Sequence, residues 1–187
     1  LEVGKVFGGR IGAKLDIAGY DNGVQVIRGN FDLRAASVAV PFFGTSKPVG
    51  MPGTARGTFV VSGGRLRSID DVHMISAAAE AKGSATFHGD GVTVKELKID
   101  RMRTGRQVLS ARIFGAANGA KRGTITGTSL DVHAILANRR KGGDGGATPP
   151  LNLNANVARV YFGKDRFVTD FKGSLVYDGA RISRLSM

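Results

Sequence analysis

The sequence predicts an all-β protein in which consecutive antiparallel hairpins form one strongly curved sheet or open trough. Three observations predict it: apolar and polar residues alternate with period two, Gly-bearing turns separate the alternating runs, and the alternation slips phase inside several runs. The alternation is clearest in Leu151-Asn152-Leu153-Asn154-Ala155-Asn156-Val157, where every odd position is apolar and every even one is Asn. On a helix, residues two apart diverge by about 200° and would scatter round both sides; on a strand they share one face.

In chain order, strands are expected at 14–19, 24–33, 35–42, 55–62, 92–100, 108–114 and 123–136. Asp21-Asn22-Gly23, Gly63-Gly64, Asp90-Gly91 and Asn118-Gly119 fall between them, and such turns suit hairpins rather than crossovers. Residues 44–54, with Pro48 and Pro52, read as a loop. Residues 72–82 allow two readings, because Ala77-Ala78-Ala79-Glu80-Ala81-Lys82 favours a short helix by intrinsic propensity. Within 92–100, Val92 and Val94 fall on one face and Leu97 and Ile99 on the other, so a β-bulge at Lys95-Glu96 is expected to restore the apolar face and bend the sheet.

Residues 138–150 read as a flexible linker loop, with Arg139-Arg140-Lys141 before Gly142-Gly143-Asp144-Gly145-Gly146. After it come strands at 151–157 and 167–177, the second with Phe167, Phe171, Leu175 and Tyr177 in one parity. A last strand at 180–187 follows the Asp178-Gly179 turn. Apolar-Asp-apolar triplets, Leu15-Asp16-Ile17, Phe31-Asp32-Leu33 and Leu130-Asp131-Val132, recur at irregular distances, as hairpin repetition does and a fixed-period solenoid does not.

The 187 residues suit one domain spanning 1–187, with 42% hydrophobic residues and no apolar run long enough to cross a bilayer as a helix. The chain starts at Leu1-Glu2-Val3 and ends at Met187 while the alternation still runs, so it is expected to be an internal fragment of a longer protein. With no Cys, disulfides and thiolate chemistry drop out and the compartment stays open. The net charge of +12 suits a phosphate-bearing partner, either nucleic acid or anionic lipid.

No catalytic constellation stands out, and the expectation is a non-enzymatic protein without cofactor or metal. His73, His88 and His133 lie far apart with no carboxylate at a recurring ligand offset, and are expected on the solvent side of strands. Ser62 and Ser110 lie in no Gly-x-Ser-x-Gly elbow, and Gly142 to Gly146 lacks the Lys and helix of a phosphate loop. Asp70 and Asp71, as strand neighbours, point to opposite faces, and a turn after Ile69 accounts for them. Arg101, Arg103, Arg106, Arg112, Lys121 and Arg122 crowd one region with Phe114 as the one aromatic between Met102 and Lys121. Single-stranded nucleic acid would want more interleaved aromatics, which makes nucleic acid the weaker partner. Head-group binding needs only cations near the rim of an apolar surface.

One further set of residues carries a resemblance. Asp32-Leu33, Ala36, Val38, Val40-Pro41-Phe42 and Lys47-Pro48-Val49-Gly50-Met51-Pro52-Gly53 form a patch that resembles the AsmA-like superfamily, nearest its large YhdP-type envelope proteins. Gly127, Leu130-Asp131-Val132, the linker, the 151–160 strand and Gly173-Ser174-Leu175 continue it, so the resemblance covers about residues 12–187. Relatives often carry an aromatic before the Lys of the patch, where this chain has Thr45-Ser46. The resemblance implies a periplasmic protein anchored to the inner membrane and reaching toward the outer one. It also implies a trough whose apolar face carries phospholipid, and no catalytic residues. On that reading the lipid-facing candidates are Leu15, Ile17, Phe31, Leu33, Phe59, Val61, Leu130, Val132, Leu153, Val157, Phe167, Phe171 and Leu175, with a core role the default for any single one. The six basic residues above are the head-group candidates. The rival readings are a scaffold that binds protein by strand addition at an open edge, and a basic nucleic-acid-binding domain.

Overall fold

The computed structural model describes residues 7–40, 45–116, 119–132, 150–177 and 182–186. These form fourteen strands and, among the described residues, no helix. The strands are β1 (Phe7–Gly9), β2 (Gly12–Gly19), β3 (Val24–Asp32), β4 (Ala36–Val40), β5 (Thr45–Lys47), β6 (Gly53–Ser62), β7 (Arg65–Ser76), β8 (Ala79–Phe87), β9 (Val94–Thr104), β10 (Gln107–Gly115), β11 (Lys121–Asp131), β12 (Leu151–Tyr161), β13 (Phe167–Tyr177) and β14 (Ile182–Ser186). Eleven of them make one sheet in the order β14-β13-β12-β11-β10-β9-β8-β7-β6-β3-β2, which does not close into a barrel. β1, β4 and β5 form a separate small sheet in the order β1-β4-β5.

The alternating residues thus form the expected hairpins, and turn chemistry sets their register. Gly63 and Gly64, with φ of 59° and 70°, join β6 to β7 and bring Ser62 opposite Arg65. A two-residue connection matches strand twist only when both residues take positive φ, which Gly does without steric cost. The helix reading of 72–82 is corrected: the segment spans the end of β7, a turn at Ala77-Ala78 and the start of β8, with Ile75 opposite Glu80. Ser76 Oγ accepts the Ala79 N–H at 3.1 Å and pins the turn. A six-residue helix is too short to sustain itself, whereas each strand here gains a ladder on both sides.

Pairing is antiparallel throughout except between β11 and β12, which run parallel from Lys121↔Leu151 to Asp131↔Tyr161. An unbroken series of antiparallel hairpins is corrected at this point. The connection between these strands is longer than a hairpin needs, and a parallel neighbour requires a chain that returns to the starting end. Of the 138–150 linker only Pro150 is among the described residues; Asp178-Gly179 and His133 also lie outside them.

The small sheet corrects the loop expected at 44–54. Lys47, on β5, is 5% exposed. Its ammonium donates to the Ala36 carbonyl at 2.6 Å and the Pro48 carbonyl at 3.1 Å. Leu33, Ala36 and Val38 are buried with it. A Cβ on Gly53 would stand 3.0 Å from Lys47 Cε, so the Lys stem needs Gly there. Lys47 and Gly53, two residues of the patch that carried the family resemblance, therefore brace the small sheet against the start of β6.

Bulges keep one face of the large sheet apolar. Phe87 pairs with Val94 but Thr86 pairs with Glu96, so Lys95 is the extra residue and the expected bulge is present. A second irregularity lets Leu109 face Met102 while Ala111 faces Ile99, which puts Ile99 and Met102 on the same side although they are three apart. Asp71, at φ 52°, does the same for Ile69 and Val72. The Asp70-Asp71 pair therefore marks a bulge within β7, where a turn was expected. Asp70 accepts the Ser68 hydroxyl at 2.6 Å.

Candidate functional site: an apolar sheet face open at one end

Residues opposite one another on neighbouring strands project to the same face, so the register traces that face across the sheet. It runs through Leu15 and Ile17 on β2, Ile27 and Phe31 on β3, Phe59 and Val61 on β6, and Ile69 and Met74 on β7. It continues through Ala81 on β8, Ile99 and Met102 on β9, Leu109 and Ala111 on β10, and Ile125 on β11. Leu153 and Val157 on β12 and Phe171 on β13 complete it.

Burial along this one surface is uneven. Met102, Leu109, Ala111, Ile125, Leu130, Leu153, Val157 and Val160 form a single buried cluster, with Ala81, Ile99, Val132, Ala155 and Phe171 packed against it. Val157 is 1% exposed and Leu109 2%. Side chains hidden to that degree mean that the β9–β13 part of this face is closed to water. At the other end Leu15 is 51% exposed and Ile17 61%, while Phe31, Phe59 and Val61 are half-buried. Phe31 and Phe59 meet edge to face with centroids 6.0 Å apart. The Phe31 ring lies over Gly29, against the position a Cβ would occupy, so Gly clears the ring's path across β3.

The lipid-facing candidates therefore divide. Leu15, Ile17, Phe31, Phe59 and Val61 line the open end, and Leu130, Val132, Leu153, Val157 and Phe171 belong to or flank the packed cluster. Leu33, 2% exposed, lies just past the end of β3, where its N–H donates to the Gly53 carbonyl, and is buried like Ala36 and Val38 beyond it rather than lining the open end. Leu175 pairs in register with Leu153. The shared parity expected of Phe167 and Phe171 is corrected: Asp170, at φ 54°, interrupts the alternation. Val168 takes the position opposite buried Val160, and Phe167 goes to the other face, opposite Tyr161. Sequence reasoning missed Ile27, Ile69, Ile99, Met102 and Leu109. Their signal was the period-two pattern on either side of each bulge, which only the bulge positions bring into phase.

The opposite face is polar, and most of the head-group candidates lie on it rather than at the rim of the apolar surface. Arg112 sits opposite Lys98 and Thr124, pairs with Glu96 at 2.6 Å, and stands 5.0 Å over the Phe114 ring. Arg122 approaches that ring at 5.6 Å. Arg101 and Arg103 are exposed opposite Lys82 and Glu80. Arg106 is a brace: it pairs with Asp131 at 2.9 Å, donates to the Lys164 and Gly163 carbonyls, and stacks 4.4 Å over Tyr161. Lys121 is exposed at the far end of β11, so the six do not converge on one patch.

The same polar face holds an open depression of about 670 Å³ lined by Asn30, Asp32, Arg34, Arg56, His73 and Ile75 among others. His73 lies on this polar face of β7 and is half-buried; His88, also half-buried, follows the end of β8 rather than sitting within a strand. His73 Nε2 lies 3.4 Å from Glu80, and His88 Nε2 is 2.9 Å from the Gly115 carbonyl. Partial burial pushes the Glu80 carboxyl up, but the contact with His73 and the Lys82 and Arg101 charges outweigh it and hold Glu80 below the usual range. Among the described residues no three His, Asp or Glu side chains gather in a metal-holding group. Comparison with family models, curated proteins and solved structures gave no match, so the functional reading rests on this geometry and on the residues themselves.

Proposed function

We propose that this protein holds lipid, laying acyl chains along the open end of its apolar face as a segment of an AsmA-like envelope protein. The reading rests above all on the exposure of Leu15 and Ile17 on a face that bulges keep apolar across ten strands, from β2 to β13. Apolar surface of this extent in water favours a cover. Each methylene transferred from water gains about 0.8 kcal/mol, so ten methylenes at half contact gain about 4 kcal/mol. Retention of this kind needs no pocket of fixed shape, which suits movement along the sheet. Through the AsmA-like resemblance, the chain is proposed to work in the periplasm, between a membrane anchor elsewhere in a longer protein and the outer membrane.

Native mass spectrometry of gently purified protein tests the proposal. The expected result is co-purified phospholipid that a Leu15→Asp/Ile17→Asp variant with unchanged circular dichroism no longer carries. Protein free of lipid, or lipid retained equally by that variant, sinks the reading. A second reading has its own support: β2 is an open edge strand, exposed along nearly its whole length. Such an edge accepts a partner's strand through backbone hydrogen bonds, and lipid-free protein that captures a β-rich partner would favour that scaffold role.

A further inference from the structure

The turn between β12 and β13 gathers exposed aromatic and cationic side chains at one end of the strands. Phe162 is 48% exposed, Phe167 48% and Val168 42%, and Lys164 and Arg166 flank them. Among the described residues neither Lys164 nor Arg166 makes an ion pair or a side-chain hydrogen bond. The turn is nonetheless held in shape. Phe162 N–H donates to the Arg166 carbonyl at 2.9 Å, and Arg106 reaches across from the β9–β10 turn to the Gly163 and Lys164 carbonyls. An ordered projection with an apolar ring at its tip and free cations beside it matches the chemistry of a bilayer interface, where rings enter the head-group layer and cations meet phosphates.

We propose that the β12–β13 turn docks the protein onto an anionic bilayer surface, with Phe162 entering the interface and Lys164 and Arg166 meeting lipid phosphates. Single-stranded nucleic acid also pairs cations with aromatics, but it needs open ring faces on which bases stack. Here Arg106 stands over Tyr161 at 4.4 Å and Arg159 over Phe167 at 4.9 Å, so a guanidinium already occupies a face of each ring. Docking at this turn is separate from acyl-chain holding at the β2 end of the sheet, and either can fail without the other.

The chain contains no Trp, so a single introduced indole reports its own surroundings. In the Phe162→Trp variant, adding vesicles of mixed phosphatidylglycerol and phosphatidylcholine is expected to shift emission to the blue. A Val92→Trp variant, at the opposite end of the strands and on a position 75% exposed, is expected to stay water-like. Lys164→Ser/Arg166→Ser is expected to weaken vesicle binding about 25-fold, at about five-fold for each cation, and Phe162→Ser about ten-fold. Far-UV circular dichroism checks that each variant keeps its sheet. No blue shift, vesicle binding that both serine variants leave unchanged, or an oligonucleotide bound more tightly than the vesicles would each overturn the proposal. Loss of co-purified lipid from Leu15→Asp/Ile17→Asp with vesicle docking intact would separate the two sites.

Discussion

Truncating one Leu at each end of the apolar face tests whether that face is packed at one end and open at the other. Leu109 is 2% exposed in the main cluster, and Leu15 is 51% exposed on the edge strand. Leu→Ala removes three carbons, worth about 2.4 kcal/mol if all leave an apolar environment. At Leu109 the whole amount applies and a cavity adds to it, because packed neighbours such as Val157 relax only partly; about 3.5 kcal/mol is expected. At Leu15 about half the surface is already wet and no cavity forms, so about 1 kcal/mol is expected. For a chain of this length the larger loss lowers the melting temperature by about 9 °C and the smaller by about 3 °C. Urea unfolding followed by far-UV circular dichroism reads both, provided the slope with denaturant stays constant. Equal losses, or a larger loss at Leu15, would refute the gradient of packing and with it the open surface.

Two other perturbations examine how the strand ends are held. Arg106→Ala removes the ion pair with Asp131, two carbonyl bonds and the stack on Tyr161, and is expected to cost about 2 kcal/mol. Hydrogen exchange should accelerate at residues 162–166, and Arg106→Lys should not restore it, because an ammonium cannot reproduce the planar fork. Asp90 caps the β8–β9 turn: bonds from the Thr93 hydroxyl, the Val92 N–H and the Thr93 N–H pull its carboxyl from 3.8 down to about 2. A depressed folded-state value means that its contribution is fully present above pH 3.8 and is lost as pH falls through about 2. Carboxyl NMR should give a midpoint near 2 that returns toward 3.8 in Thr93→Val; a midpoint already at 3.8 in the parent chain would remove the cap.

Local alternation carried most of the fold because a strand's two faces are written into neighbouring residues, as in Leu153, Ala155 and Val157 with Asn154 and Asn156 between. The bulge at Lys95 was legible for the same reason: two alternating runs met out of phase. Asp170 was not, since an Asp in the left-handed region leaves no mark on the hydrophobic pattern, and Phe167 was placed on the wrong face in consequence. The helix alternative at 72–82 came from weighing propensity without the ladders that β7 and β9 give to β8. Clustering in sequence likewise misled for the basic residues, because Arg112 on β10 and Lys121 on β11 fall on opposite faces of the sheet while Arg106 is spent on Asp131. Leu33 kept the parity of β3 but is buried where the chain leaves β3 for β4, a change of surroundings that no period reveals.

The single parallel junction has a consequence for assembly. On either side of it, nearly every ladder joins strands adjacent along the chain, so β6 to β11 and β12 to β14 can each zip up through short loops. Their union must wait for β12 to swing back beside β11, at the entropic cost of closing a long loop. The seam between β11 and β12 is therefore the natural last step of folding. It is also where a newly made C-terminal hairpin would find a wrong edge, its own or a neighbour's, if the right one were slow to form.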